Sequence, residues 1–469
     1  MESLSCKALV VGGGPGGYVA AIRAGQLGLD TVIVEADRLG GTCLNRGCIP
    51  SKALIQGAST YEAMVSHVGK EHMGIALSSA PTLELASMVS WKNNVVDKLN
   101  QGVAGLLKKA GVRVVTGWAT FSDAKSCLVK GEQGEVSISA EHVILANGSC
   151  VSALPNIPLG GDVISSTEAL DLDRVPDELA IIGAGYIGLE LGIAYRKMGA
   201  KVTFIEGLER ILPLYDREMT RPIENWLNKH EVEVICQARA ARVETANGKP
   251  VLYYQDNQGQ EHNIAADKVL VTVGRRPNTQ GWGLENMCID MQGASIKVDK
   301  QCRTSMKNVW AIGDLVGEPM LAHKASAQGE MVAEIIAGER REFDARAIPA
   351  VCFTEPEIVG VGLSPTEAKQ QGIETVVGKF PFAAIGKALA MNAGTDGGFV
   401  RLTARADNHL VIGMHAVGTH VAELSNQFAL ALELGARLED IAGTIHVHPT
   451  LGEATMEAAL AGLGKAIHA

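Results

Sequence analysis

A chain of 469 residues is too long for one hydrophobic core and predicts about two to four domains. Hydrophobic and charged contents of 46% and 20% fit an ordinary globular protein, and a net charge of −10 without basic, aromatic-laced runs speaks against nucleic acid as a partner. No run reaches the ~18 uninterrupted apolar residues of a membrane span, so no membrane association is expected.

The 53 glycines and the 4% aromatic content suit an α/β protein with many tight strand-to-helix turns. Nine cysteines, an odd number, are scattered from Cys6 to Cys352, unlike the disulfide framework of a secreted domain. A strand-like run, KALVV, starts at Lys7 where a leader would lie. A reducing, cytoplasmic location is expected, with a processed organellar form as the alternative.

Residues 8–35, ALVVGGGPGGYVAAIRAGQLGLDTVIVE, read as apolar strand, glycine-rich turn, small-residue helix, apolar strand and terminal acid. Gly12 suits the tight turn, Gly14 lets a pyrophosphate approach the backbone, and Gly17 lets helix and strand pack closely. Glu35 then accepts from an adenosine ribose. Residues 179–206, LAIIGAGYIGLELGIAYRKMGAKVTFIE, repeat the unit without insertion or deletion. Gly183, Gly185, Gly188 and Glu206 match Gly12, Gly14, Gly17 and Glu35 at one constant offset. Two dinucleotide sites are therefore expected, each on a helix N-terminus. A carboxylate at 206 repels a 2′-phosphate and favours NAD(H) over NADP(H), although Arg210 stands nearby.

Between these units lies GGTCLNRGCIPSK, residues 40–52. A zinc site at Cys43 and Cys48 would need two further ligands, and none is suitably spaced. A purely structural disulfide does not suit a reducing compartment, which leaves redox chemistry. In a regular helix, residues five apart have Cα atoms roughly 8–9 Å from each other, beyond the reach of a disulfide. The cysteines are therefore expected at the irregular start of a helix running through Ser51, Lys52, Ala53 and Leu54, whose N-terminus stabilises a thiolate.

Farther along come VTVGRRPN with Gly274, and AIGD with Asp314. Period-2 runs at 397–404 and 409–418 predict antiparallel strands. A helical run at 422–435 follows, and then HVHPTLGE at 446–453. In that last stretch His448 is the residue type that can take a thiol proton and return it, and Glu453 could fix its tautomer. Alone, the pair reads more often as structural, or His446 and His448 as metal ligands lacking a third; no metal site is predicted.

Taken jointly, GGTCLNRGCIPSK, Gly14 and Gly17 with Glu35, GAGYIGLELG at 183–192, AIGD and HVHPTLGE make the whole chain resemble the pyridine nucleotide–disulfide oxidoreductases. The resemblance implies an α/β fold: two Rossmann-like domains, for FAD and NAD, plus an α+β C-terminal dimerisation domain. The expected boundaries are 1–147 for FAD, 148–273 for NAD, 274–345 for a central domain and 346–469 for the interface domain. It implies an enzyme that reoxidises protein-bound dihydrolipoyl groups of 2-oxo acid dehydrogenase or glycine cleavage complexes through a Cys43–Cys48 disulfide and tightly bound FAD, reducing NAD+ to NADH.

The implied roles follow residue by residue. Cys43 exchanges with substrate sulfur, and Cys48 lies nearer the flavin. Lys52 stands near the flavin's reactive nitrogen and pairs with Glu190. Asp314 binds the ribitol, Ala119 and Ala322 offer backbone contacts to FAD, and Gly274 lies near NAD. His448 and Glu453 act as the acid–base pair, reaching the thiols of the other subunit of a homodimer. The implied partners are lipoyl domains and the subunit-binding domain of an acyltransferase core. No cysteine follows Cys352, unlike relatives that need a C-terminal redox pair. Two positions depart from the family pattern: Arg46 between the cysteines and Asn147 in LANGS.

Overall fold

A computed structural model describes residues 2–69, 73–132 and 134–468. They form two compact units, each discontinuous in sequence. The first comprises 1–154, 165–174 and 273–344; the second comprises 155–164, 175–272 and 345–469.

The first unit is built on a sheet of β1 (Glu2–Val11), β2 (Thr31–Glu35), β3 (Arg113–Thr116), β4 (Trp118–Phe121), β5 (Ser126–Gly131) and β6 (Gly134–Leu145). Its order is β3-β2-β1-β6-β5-β4. The central strands are parallel, whereas β4 and β5 pair antiparallel. Ala8 to Val11 are all buried, as a strand covered on both faces requires. On its edge away from β1, the long β6 serves two neighbours. Its first half pairs with β5, and its last residues, Val143 to Leu145, pair with Val309–Ala311. The segment holding AIGD thereby completes the first unit's sheet.

Strand order reverses between β1 and β6, so the crevice beyond their carboxyl ends is the expected ligand position. Into it point the starts of α1 (Pro15–Gln26) and of the helix Ala322–Ile336. These two helices pack closely; a Cβ on Gly329 would sit 2.3 Å from the Gly16 carbonyl oxygen. Three further helices belong to this unit: α2 (Gly41–Arg46), α3 (Cys48–Ser66) and α4 (Leu85–Lys109).

The second unit carries a five-stranded parallel sheet ordered Glu233–Ile235, Lys201–Ile205, Glu178–Ile182, Lys268–Val271 and Val163–Ile164. Helix α5 (Tyr186–Lys197) crosses between Glu178–Ile182 and Lys201–Ile205, reproducing the β1–α1–β2 unit. A five-stranded antiparallel sheet runs Ala350–Cys352, Glu357–Gly362, Val411–Gly418, Phe399–Arg405 and Thr375–Pro381. The expected strand pair appears as Phe399–Arg405 against Val411–Gly418. Helices Ser425–Glu433 and Glu453–Gly462 cover this sheet through Phe428, Leu432, Ala454 and Ala458. Among the described residues, no helix is long and apolar enough to cross a membrane.

Candidate active site

The cysteine segment differs from one irregular helix start. Cys43 lies within α2, and Cys48 opens α3. Gly47 breaks the helix between them at φ −143 and ψ −113. A Cβ there would lie 2.9 Å from the Thr42 carbonyl oxygen and 3.3 Å from the Cys43 Cα. The two helices thus fold back on each other and set the thiols side by side, which a continuous helix would forbid.

Cys43 is half-buried and Cys48 exposed. Their side chains are hydrogen-bonded, and this bond, reinforced by burial, pushes the Cys43 thiol far above its ordinary range. Lys52, one turn into α3, pulls the other way. In that bond Cys43 is the donor and Cys48 the acceptor, and Cys48 stands at the positive end of a 19-residue helix, where a thiolate is favoured. Arg46 points elsewhere: it forms an ion pair with Asp37, both side chains being exposed.

The two glycine-rich loops share one physical pattern. Gly12 and Gly183 have φ of +102 and +101. A Cβ on Gly17 would sit 1.8 Å from the Gly12 carbonyl oxygen, and one on Gly188 2.2 Å from that of Gly183. These glycines are demanded by the protein's own backbone. Gly14 and Gly185 are different. A Cβ at Gly14 would meet nothing nearer than 3.9 Å, and one at Gly185 nothing within 4 Å. Both are helix N-caps without a side-chain cap, so the N–H groups behind them are open to a ligand. Space kept clear before a helix N-terminus suits a pyrophosphate.

The acids repeat as well. Glu35 accepts the Gly13 and Asp37 N–H groups at 2.6 and 2.9 Å. Glu206 accepts those of Ala184 and Leu208 at 2.6 and 2.8 Å. These bonds aim each carboxylate across its loop and leave lone pairs for ribose hydroxyls. Arg210 donates to the carbonyls of Pro213 and Tyr215, which ties its guanidinium to its own loop.

Beside the Gly12 turn, the chain leaves β6 through Asn147, whose buried Oδ1 has no hydrogen-bond partner. An orphaned acceptor next to the turn fits a site completed by a polar group. Asp314 lies just past Val309–Ala311 and accepts from the Ser149 hydroxyl. Arg275 holds Ser149 in turn, donating at 2.8 Å to both its hydroxyl and its carbonyl. Lys324 is buried and donates to the Gly317 carbonyl at 2.7 Å; burial lowers its pKa, and Asp314 opposes that shift. Ser149 and Arg275 escaped the sequence reading because nothing local signals partners so distant along the chain, and Lys324 carried no motif. Ala322 opens its helix behind an uncapped Leu321. Ala119 sits on β4, its methyl in the core with Phe121 and Cys127. Gly274 lies in the first unit, its carbonyl accepting the Ser152 N–H at 3.0 Å.

In the second unit, Glu190 is buried in α5 and accepts the Phe353 N–H at 3.0 Å. His448 and Glu453 come together, Nδ1 to Oε1 at 2.8 Å. The other carboxylate oxygen accepts the Thr450 N–H at 2.8 Å. Burial raises the Glu453 pKa, but the Thr450 and His448 bonds outweigh it and hold the carboxyl below its ordinary value. A carboxylate facing Nδ1 fixes the proton there and leaves Nε2 of an exposed ring free to act as base. Among the described residues, no three His, Cys, Asp or Glu side chains are grouped to hold a metal ion.

Comparisons with known proteins identify the family. Residues 6–329 match the model of the pyridine nucleotide-disulphide oxidoreductases, and residues 348–459 match the dimerisation domain of the same family. The chain is 56% identical over 468 residues to a dihydrolipoyl dehydrogenase of Pseudomonas aeruginosa, covering 100% of this chain and 99% of the relative. It is 47% identical to one from Geobacillus stearothermophilus, covering 99% and 98%. Among solved structures, LpdA from Mycobacterium tuberculosis matches with a TM-score of 0.87 at 26% identity, covering 97% of this chain and 99% of that one. The flavoprotein disulfide reductase RclA from Escherichia coli matches at 0.86 and 25%, with the same coverage.

Proposed function

The chain belongs to the pyridine nucleotide–disulphide oxidoreductases, and from that premise we propose that it oxidises dihydrolipoyl groups at the expense of NAD+. The observation that carries this reading is the hydrogen-bonded Cys43–Cys48 pair at the head of α3.

In the oxidised enzyme the pair is a disulfide. A substrate thiolate attacks Cys43 Sγ, the S–S bond breaks, and Cys48 leaves as a thiolate favoured by the helix end. The second substrate sulfur then attacks the first, closing the lipoyl disulfide and releasing Cys43. His448 accepts one of the substrate's two thiol protons, Cys43 departs as a thiol with the other, and Glu453 stabilises the imidazolium.

FAD is held by Gly12, Gly14, Gly17, Glu35, Lys52, Asp314 and the backbone of Ala119 and Ala322. When bound, it supplies the two-electron chemistry that links a dithiol to a nicotinamide. Gly183, Gly185, Gly188 and Glu206 hold NAD+. The dimerisation-domain match supports a homodimer. In that dimer the dyad of one protomer serves the thiols of the other. The physiological substrate is a lipoyl domain of an acyltransferase core, whose subunit-binding domain docks the enzyme.

Anaerobic titration with dihydrolipoamide tests the reading. Reduction of the flavin's visible spectrum, abolished by Cys43→Ser, is expected; an unchanged wild-type spectrum would refute it.

A further inference from the structure

The loop that carries His448 has little apolar anchorage on its outer side. Ile445 is 95% exposed and Val447 71%. Its pose rests on polar bonds, and two of them converge on His446. Nδ1 of His446 lies 2.8 Å from the Thr444 carbonyl oxygen. A carbonyl only accepts, so Nδ1 carries a proton. Nε2 lies 3.1 Å from the amide nitrogen of Gln427 and accepts from it, which fixes the neutral Nδ1–H tautomer.

Gln427 is carried by a firm platform. Its helix, Ser425–Glu433, is rooted in the core through Phe428 and Leu432. The pair also lies against the far end of the loop. A Cβ on Gly452 would stand 3.8 Å from Gln427 Oε1 and 4.0 Å from His446 Cδ2. The Gln427–His446 pair thus braces the loop at Thr444, where it begins, and lies near Gly452, immediately before Glu453.

We propose that Gln427 and His446 are positioning residues that set the pose of the His448–Glu453 pair. The inference rests on the reading of His448 as the thiol base. Small errors in the placement of such a base cost rate steeply, whereas steps that do not use it are untouched.

The test compares anaerobic flavin reduction in the holoenzyme by dihydrolipoamide and by NADH. Gln427→Leu keeps the bulk but not the donor. It is expected to slow reduction by dihydrolipoamide about tenfold while leaving reduction by NADH at the wild-type rate. Gln427→Glu restores a bond by accepting from a protonated His446, and is expected to recover most of the loss. Wild-type behaviour of Gln427→Leu, equal slowing with both reductants, or failure of Gln427→Glu to recover would each overturn the proposal. Should Gln427→Leu not fold, Gln427→Met is judged by the same criteria. His448→Gln separates the two levels. If it leaves reduction by dihydrolipoamide unchanged, the functional reading falls; if it slows that step and Gln427→Leu does not, only the positioning role falls.

Discussion

Glu453 accepts His448 Nδ1–H through one carboxylate oxygen at 2.8 Å and the Thr450 N–H through the other at 2.8 Å. The second bond fixes the first, because a carboxylate held at both oxygens cannot swing away from the ring. Glu453→Gln keeps an acceptor but loses the charge that stabilises the imidazolium. Its kcat with dihydrolipoamide should fall about 100-fold, as for other general-base positions. Reduction of the flavin by NADH, which needs no thiol base, should stay at the wild-type rate; loss of both would show that Glu453 acts through folding.

The glycine loops separate binding from folding. A methyl on Gly17 collides with the Gly12 backbone, whereas one on Gly14 enters open space. Gly17→Ala is therefore expected to lower the melting temperature of the apoprotein sharply. Gly14→Ala should leave it within the change that about 1 kcal/mol at an N-cap produces, yet purify with depleted FAD. In the second copy, Gly185→Ala should raise KM for NAD+ at unchanged stability. Normal FAD content in Gly14→Ala would contradict the assignment of that space to the pyrophosphate.

Both repeats were legible in the sequence because the spacing encodes a collision between residues within one unit, Gly17 on Gly12 and Gly188 on Gly183. The His448–Glu453 pair was legible for the same reason, since five residues and one turn contain it. What escaped was decided by distant chain. One local feature also escaped: the short helix α2 before Gly47, where the sequence predicts only an irregular helix start. The domain plan followed the chain, whereas the compact units interleave: Val309–Ala311 returns to pair with β6. Gln427 carried no motif, and its link to His446 exists only once the helix and the loop are folded together.

Cofactor choice rests on Glu206 and Arg210. Glu206 is buried and oriented by two backbone N–H groups, so it stays where a 2′-phosphate would have to sit. Arg210 is spent on the Pro213 and Tyr215 carbonyls. NAD(H) should therefore exceed NADP(H) in kcat/KM by well over tenfold. Arg210→Ala should lower stability without changing that ratio. A ratio favouring NADP(H), or one that shifts with Arg210→Ala, would refute the assignment.

His415 predicts an acid sensitivity of the second unit that is separate from catalysis. Burial, then the Arg401 guanidinium, lowers its pKa from 6.5 to about 4; Asp216 and Glu367 oppose that shift. The buried Nδ1 has no hydrogen-bond partner among the described residues, so the ring is held neutral. The unfolded chain, with an ordinary histidine, binds the proton more readily than the folded one between those two values. Stability is therefore complete above pH 6.5 and falls as pH drops toward 4, by about 3 kcal/mol in all. The Glu453 contribution has the same sign but lies lower: present above the ordinary carboxyl value, it is lost only as pH falls below about 4.5. Denaturant midpoints at pH 7, 6 and 5 isolate the histidine. His415→Asn is expected to be less stable than wild type at pH 7 but to lose less on going to pH 5. Equal pH slopes for the two proteins would remove His415 as the source.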